Sequence, residues 1–445
     1  MNWTRWTFLT VVAVCAFAQP SVNSRPFRLD ELKTQPGFEV SVYAQTRAGI
    51  RLMTFGPNGV LYAAGSDAVF AVPEQGKVVR VLSGLAGAHS VVFKDRDLYI
   101  AAGDGVYRVK DAVTANLVAP GKPERIITLP AGGGHSTRTM AFGPDGGIYV
   151  TAGSTCNFCV ETDSRRAAMM RFEPDGSGQA IYARGLRNSV GFAWHPLTGD
   201  LWANDNGGDG LGDDVPPEEV NIIRAGSDYG WPDCYAQQRP VNWGSGARTT
   251  RCGDTVGPEV EIQAHSAPLG LSFYTGAQFP ASWIGDGLVG LHGSWNRNEP
   301  SGYKVVRVRA SSGHNQGVED FLWGFFDPAT RTRSGRPVHA LNGPDGAVYV
   351  SDDTTGNIYR VSYTGPRINP GGIVRRAPGV YELYGSNLAG GDPARFSISA
   401  NGTALQTLYT GPSQVNFILP ESITGDVTIS VTNDKATDTA RLLVD

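Results

Sequence analysis

GGGHSTRTMAFGPDGGIYVTAG, residues 132–153, contains the unit that decides the fold. Its second half, FGPDGGIYVTAG (142–153), is a tight turn that runs straight into an alternating strand. Glycine or asparagine supplies the positive-φ position of such a turn, and alternation of the Val-Tyr-Val kind suits a half-buried strand. The unit recurs as FGPNGVLYAAG (55–65), FKDRDLYIAAG (93–103), WHPLTGDLWAND (194–205) and NGPDGAVYVSDD (342–353), with a looser version, WIGDGLVGLHG, at 283–293. A second short strand follows each: AVFAV (68–72), GVYRV (105–109), AMMRF (168–172), EVNII (219–223), KVVRV (304–308) and NIYRV (357–361). Six units with six partners predict an all-β chain built on a six-bladed β-propeller, with the early strand 38–44 closing the ring beside the last blade. An open sandwich would not account for the repeats.

Outward from the repeats the character of the chain changes twice. Beyond Thr364-Gly365-Pro366, the segments YELYGSNL (381–388), SQVNFILP (413–420) and DVTISVTN (426–433) are separated by Gly, Pro, Asn and Asp turns. They predict a small C-terminal β-sandwich without a cluster of His, Cys or acidic residues, hence a spacer or surface-attachment module. At the other end, Arg5 precedes an apolar run from Phe8 that closes on Ala16-Phe17-Ala18, the pattern of a cleaved export signal. The run is too short to span a bilayer comfortably, and Val14 is a poor residue ahead of a lipidated Cys15. The expected division is therefore a signal peptide at 1–18, the propeller at 19–366 and the sandwich at 367–445. The mature protein is expected to be periplasmic or secreted, with no transmembrane segment.

Export leaves Cys156, Cys159, Cys234 and Cys252, and four cysteines allow three pairings. Local pairing, 156 with 159 and 234 with 252, is the expectation. A zinc site begun by Cys156-x-x-Cys159 lacks the second close pair that zinc ribbons need. No CxxCH motif occurs, which excludes a c-type haem attachment of that form. A formal charge of −4 offers no general attraction to nucleic acid.

Chemistry concentrates at the starts of blades. His135 stands nine positions before Pro144, and Arg187, followed by Asn188, stands nine before Pro196. Arg51 and Arg138 each lie six before a turn proline, and Arg336 leads into the last unit. A neutral imidazole can take a hydroxyl proton near neutral pH. Repeated arginines at matching places imply an anionic or carbonyl-bearing ligand at the central mouth. The alternative is that each guanidinium ties neighbouring blades through carbonyl oxygens. Asn206-Gly207-Gly208 and Asp213-Asp214 offer the hard oxygens calcium prefers, without EF-hand spacing; a solvated acidic turn is the other reading. The run His292-Gly293-Ser294-Trp295-Asn296-Arg297 mixes an aromatic, an amide and basic groups suited to a planar polar ligand, against simple tryptophan packing.

Taken together, HSTRTMAFGPDGGIYV (135–150), GLRNSVGFAWHP (185–196), LGDDVPPEEVN (211–221), DYGWP (228–232) and HGSWNR (292–297) resemble, in order, the pyrroloquinoline quinone (PQQ)-dependent sugar dehydrogenases. The likeness is to the glucose/sorbosone dehydrogenase family, nearest its L-sorbosone dehydrogenase-like branch, and covers about 38–363. It implies His135 as the general base, with Arg187 and Asn188 holding the quinone oxygens and stabilising charge there. It also implies calcium near the loop from Asn206, with Gly207 and Gly208 as backbone donors. Arg51, Arg138, Arg336 and the run containing His292, Trp295, Asn296 and Arg297 would complete the cofactor grip. The partners implied are a sugar and an electron acceptor, a cytochrome or quinone.

Three positions depart from the family pattern. Soluble glucose dehydrogenases carry an aspartate where Ser154 stands and a lysine in the HGSWNR region, and many sorbosone-type relatives carry an arginine at Gly208. The tail, with ELYGSNLA (382–389) and PSQVNFILP (412–420), resembles an immunoglobulin-like module of secreted soil-bacterial proteins. The expected activity is oxidation of an aldose or sugar aldehyde. A calcium-dependent lactonase and a non-catalytic carbohydrate- or protein-binding propeller are the other readings.

Overall fold

A computed structural model describes residues 22–47, 49–242 and 251–444. The expected signal at 1–18 lies outside them. Six sheets of four or more strands follow one another along the chain, each beginning on a strand that precedes a turn unit. Those first strands are Ile50–Phe55, Ser90–Lys94, Arg138–Phe142, Phe192–Trp194, Pro268–Phe273 and Pro337–Asn342. They contact one another from sheet to sheet, which places them innermost around an axis. This is a six-bladed propeller.

The turns behave as the repeat predicts. Gly146 takes φ +76°, its amide bonds to the Gly143 carbonyl at 2.9 Å, and Asp145 caps Gly147 at 3.1 Å. Gly59, Gly199, Gly285 and Gly346 hold the same conformation in their blades. The second blade differs: Asp95 carries the positive φ, +54°, a conformation that aspartate tolerates better than most side chains. The ring closes where Phe38–Gln45 pairs antiparallel with Asn357–Tyr363, so the first and last parts of the propeller share one sheet. Lys33–Thr34 adds a further strand outside the fifth blade and covers its edge.

The axis is filled. Leu52, Val190, Leu269 and Val338 come from the innermost strands or their leading turns in four blades and pack together as one buried cluster. Four apolar side chains meeting there make a plug. Beyond Tyr363, two four-stranded sheets enclose a separate core that includes Leu383, Phe417, Ile429 and Val431. Arg367 Nε donates to the Phe279 carbonyl at 2.9 Å, and Lys435 pairs with Glu39 at 3.4 Å, tying these sheets to the propeller. Cys156 pairs with Cys159 and Cys234 with Cys252, as local pairing predicted.

Candidate active site

The third blade opens on His135. Its Nδ1 lies 2.8 Å from Ser154 Oγ and 3.1 Å from the Ser154 carbonyl oxygen. Ser154 Oγ spends its own proton on the Cys156 carbonyl at 2.7 Å. Both neighbours of Nδ1 are therefore acceptors, so Nδ1 carries the hydrogen and Nε2 keeps its lone pair. Burial, then the nearby Arg187 cation, pushes the His135 pKa down to about 4, and the ring is neutral at pH 7.

Gly153 sets the spacing between this base and the next blade. A methyl group there would lie 2.5 Å from Asn188 Oδ1 and 2.6 Å from His135 Cβ, so the two side chains flank a position only glycine fills. Ser154 N also donates to the Arg187 carbonyl at 2.8 Å. Asp205 fixes the other side: its carboxylate accepts from Arg187 N at 2.9 Å and from Asn188 N at 2.7 Å. Burial raises its pKa to about 7 despite those hydrogen bonds. Asp352 holds Arg336 N in the same way, at 3.0 Å. Both aspartates stand six residues after a turn glycine, where the other units carry no acid.

The arginines divide into two groups. The Arg187 side chain is 5% exposed, and its guanidinium meets Asn157 and Asp209, the latter at 2.9 Å. Asp209 Oδ1 also accepts from Asn296 Nδ2 at 2.7 Å, which brings Asn296 to the same network. In the second group, Arg51 pairs with Asp353 at 3.2 Å, and His292 Nε2 donates to the same carboxylate oxygen at 2.8 Å. Arg336 donates to the carbonyls of His292 and Gly293, each at 2.9 Å. Arg138 corrects the sequence reading. It is 0% exposed and donates to the carbonyls of Pro130, Thr137 and His135, so it ties segments together and is closed off from a ligand.

Arg297 is a second correction. It is spent on Glu299 O, Asp213 O and the Asp214 carboxylate, closing a loop. The same bonds engage Asp213 and Asp214, two of the residues expected near calcium. Asp213 Oδ2 accepts from Asn298 N, and the Asp214 side chain is 83% exposed. Asn206 O is taken by Arg187 Nη1. The carbonyls of Gly207 and Gly208 accept no hydrogen bond among the described residues, which fits backbone donors to a hard cation. The only group of three acidic, histidine or cysteine donors found close together among the described residues is Cys156, Cys159 and Glu161, and its cysteines form a disulfide. Zinc at that motif is thereby set aside.

Phe158 explains the glycine at 208. A methyl group on Gly208 would lie 2.0 Å from Phe158 Cζ, so the aromatic ring fills the space a side chain at 208 would need. Trp295 is 73% exposed, which excludes the packing reading, and it lines an open hollow of about 690 Å³ with Asn157, Asp209 and Asn296, next to the Arg187 network. Sequence reasoning missed Ser154, Asn157, Asp205, Asp209 and Asp353 as parts of this site. The acids at matching repeat positions were a readable signal for Asp205; nothing local marked the others.

The fold and these side chains define a propeller with polar blade entries and a closed axis. The profile of the family described as TrAA12-like matches residues 42–364, and the chain belongs to that family of PQQ-dependent sugar dehydrogenases. An uncharacterised protein of Borreliella burgdorferi is 29% identical over 347 residues, 75% of this chain and 91% of its own. The PQQ-dependent pyranose dehydrogenase of Coprinopsis cinerea is 29% identical over 184 residues, 32% of this chain and 23% of its own. The solved PQQ domain of that pyranose dehydrogenase, in holo form, superposes with a TM-score of 0.62 at 22% identity, covering 74% of this chain and 97% of the domain. A calcium structure of a Trichoderma reesei family AA12 enzyme gives 0.65 at 20% identity, covering 78% and 98%.

Proposed function

We propose that this protein is an exported, PQQ-dependent dehydrogenase that oxidises an aldose or sugar aldehyde with calcium assistance. The observation that carries the reading is His135. Its Nδ1–H is committed to Ser154, which leaves Nε2 with its lone pair, and its Cβ faces the Asn188 carboxamide across Gly153. When bound, PQQ supplies a quinone carbonyl that accepts two electrons as hydride.

The chain's own residues do the rest. His135 Nε2 takes the proton from the sugar hydroxyl as the carbon–hydrogen bond is broken. The Asn188 carboxamide makes no hydrogen bond among the described residues and is available to the cofactor. Arg187 places a fixed cation where negative charge grows, which stabilises the transition state without reorganisation. Arg51, 27% exposed at its side chain and paired with Asp353, would hold the cofactor's carboxylates together with His292 and Arg336. The Gly207 and Gly208 carbonyls would hold calcium, a Lewis acid for the accepting oxygen. Trp295 offers a flat apolar face to the sugar ring.

Two disulfides suit an oxidising compartment, which supports export. No helix of the described residues is long and apolar enough to cross a membrane. The C-terminal sheets serve, in this reading, as an immunoglobulin-like attachment module. The lactonase alternative wants acidic side chains around an axial ion, and here the axis carries Leu52, Val190, Leu269 and Val338.

The test is spectroscopic. The mature protein is mixed with PQQ and calcium, and its ultraviolet–visible spectrum is followed while aldoses are titrated with an artificial electron acceptor present. A bound-quinone spectrum bleached by a sugar establishes the dehydrogenase and ranks substrates. No uptake of PQQ in excess overturns the reading.

A further inference from the structure

The Cys156-Asn157-Phe158-Cys159 ring belongs to the site, although nothing in its own sequence points there. Arg187 has five N–H donors. Nε donates to Asn157 O at 3.2 Å, and Nη2 donates to Asn157 Oδ1 and to Asp209 Oδ2, each at 2.9 Å. Nη1 donates to Asn206 O at 3.2 Å. Four donors are committed, two of them to Asn157, and a single Nη1–H remains for a ligand.

Asn157 is in turn over-determined. Its Oδ1 also accepts from Asp209 N, and its Nδ2 donates to Asp209 O, both at 2.8 Å, so the carboxamide pairs with Asp209 as a second strand would. Its backbone oxygen further accepts from Trp231 Nε1 at 2.9 Å. Only asparagine meets this pattern: aspartate lacks the donor, and glutamine sets the amide one methylene too far. The disulfide closes a ring of four residues, which holds the backbone oxygen and the carboxamide toward the same guanidinium. Phe158 seats the ring against Gly208. Ser154, at the start of the same segment, fixes His135.

We propose that Asn157, braced by the Cys156–Cys159 disulfide, is a positioning residue that sets the Arg187 guanidinium, so that one short segment fixes both the base and the cation of the site. The proposal rests on the reading of Arg187 as part of the quinone grip. Its role is to leave one N–H of Arg187 aimed at the ligand, at a fixed distance from His135. A loop tie of no functional consequence would keep the protein folded and do nothing to Arg187.

The experiment uses the full mature chain with Asn157→Ala, Asn157→Asp and the double substitution Cys156→Ser/Cys159→Ser. The first readout needs no cofactor: the Arg187 Nε–H nuclear magnetic resonance signal, assigned by its loss in Arg187→Lys. It is expected sharp and slow to exchange in the wild type, broadened or lost in Asn157→Ala, where the backbone oxygen stays but the carboxamide that fixes it is gone, and restored in Asn157→Asp, which keeps the side-chain acceptor toward Arg187. The second readout is PQQ affinity and turnover. Losing the carboxamide's hydrogen bond to the cation, together with its two bonds to Asp209 that hold the segment in place, is expected to weaken PQQ binding and kcat by on the order of tenfold or more, with the sugar KM changed less than about twofold. The double cysteine variant is expected to move both readouts in the same direction. An unchanged Arg187 signal with unchanged PQQ affinity in Asn157→Ala overturns the proposal. If the wild type takes up no PQQ, the dehydrogenase reading falls, while the resonance still decides whether Asn157 sets Arg187.

Discussion

At the scale of single residues, the place of the His135 ring hydrogen is dictated by Ser154. The sequence reading noted Ser154 only as a departure from an aspartate; its position 2.8 Å from Nδ1 makes it the residue that selects the tautomer. Replacing His135 with alanine should cost about 10²–10⁴-fold in turnover while PQQ still binds, measured by dye reduction and by cofactor titration. Wild-type turnover in that variant would remove His135 as the base. The pH profile gives a finer check. Burial and Arg187 hold the ring's pKa at about 4, below its ordinary 6.5, so the base is neutral above that value and is lost as pH falls through it. The acid limb of kcat/KM should therefore lie near pH 4. Ser154→Asp puts a carboxylate against Nδ1–H, which favours the imidazolium and should move the limb upward by about one pH unit or more. An unmoved limb would mean that Nδ1 does not face residue 154 in the working enzyme.

At the scale of the element, the repeat unit explains both what was legible and what was not. Turn residues and alternation are local, so the six turn units and the closing strand Phe38–Gln45 were readable in order. Even the substitute in the second blade, Asp95, obeys the same backbone requirement. The insertion at 153–167 carries no repeat pattern of its own. Its meaning comes from contacts 19 residues back to His135 and 30 residues forward to Arg187, which no local pattern encodes. Gly153 begins that insertion and separates the base from Asn188. Gly153→Ala would drive Cβ into both, and a displacement of about 1 Å at reacting groups costs on the order of 100-fold in rate. The expectation is a loss of that size in kcat/KM with the fold retained by circular dichroism. Near-normal kinetics would show that His135 and Asn188 do not need this spacing.

At the scale of the whole molecule, the plugged axis and the buried acids beside the fourth blade carry consequences for stability. Glu219 is 8% exposed and is bonded to Ala236 N and Asn221 Nδ2, yet burial and the nearby Asp205 push its pKa up to about 8. A carboxyl raised in the folded state contributes stability that is full below its ordinary value near 4.5 and is lost as pH rises through the folded one. Thermal midpoints of the wild type should thus fall between pH 6 and pH 8, and Glu219→Gln, isosteric and uncharged, should flatten that fall. Equal slopes in both proteins would show that Glu219 does not titrate in this range. The sequence alone determined the propeller, the tail of separate strands and the local disulfide pairings, because turns, alternation and short cysteine spacings are written within a few residues. Only the tertiary structure decided what each arginine meets. Arg138 turns to carbonyls within eight residues and is spent, whereas Arg187 is aimed by Asn157 and Asp209, 30 and 22 residues away. A guanidinium takes whatever acceptors the fold places around it, and those acceptors come from segments that only folding brings together.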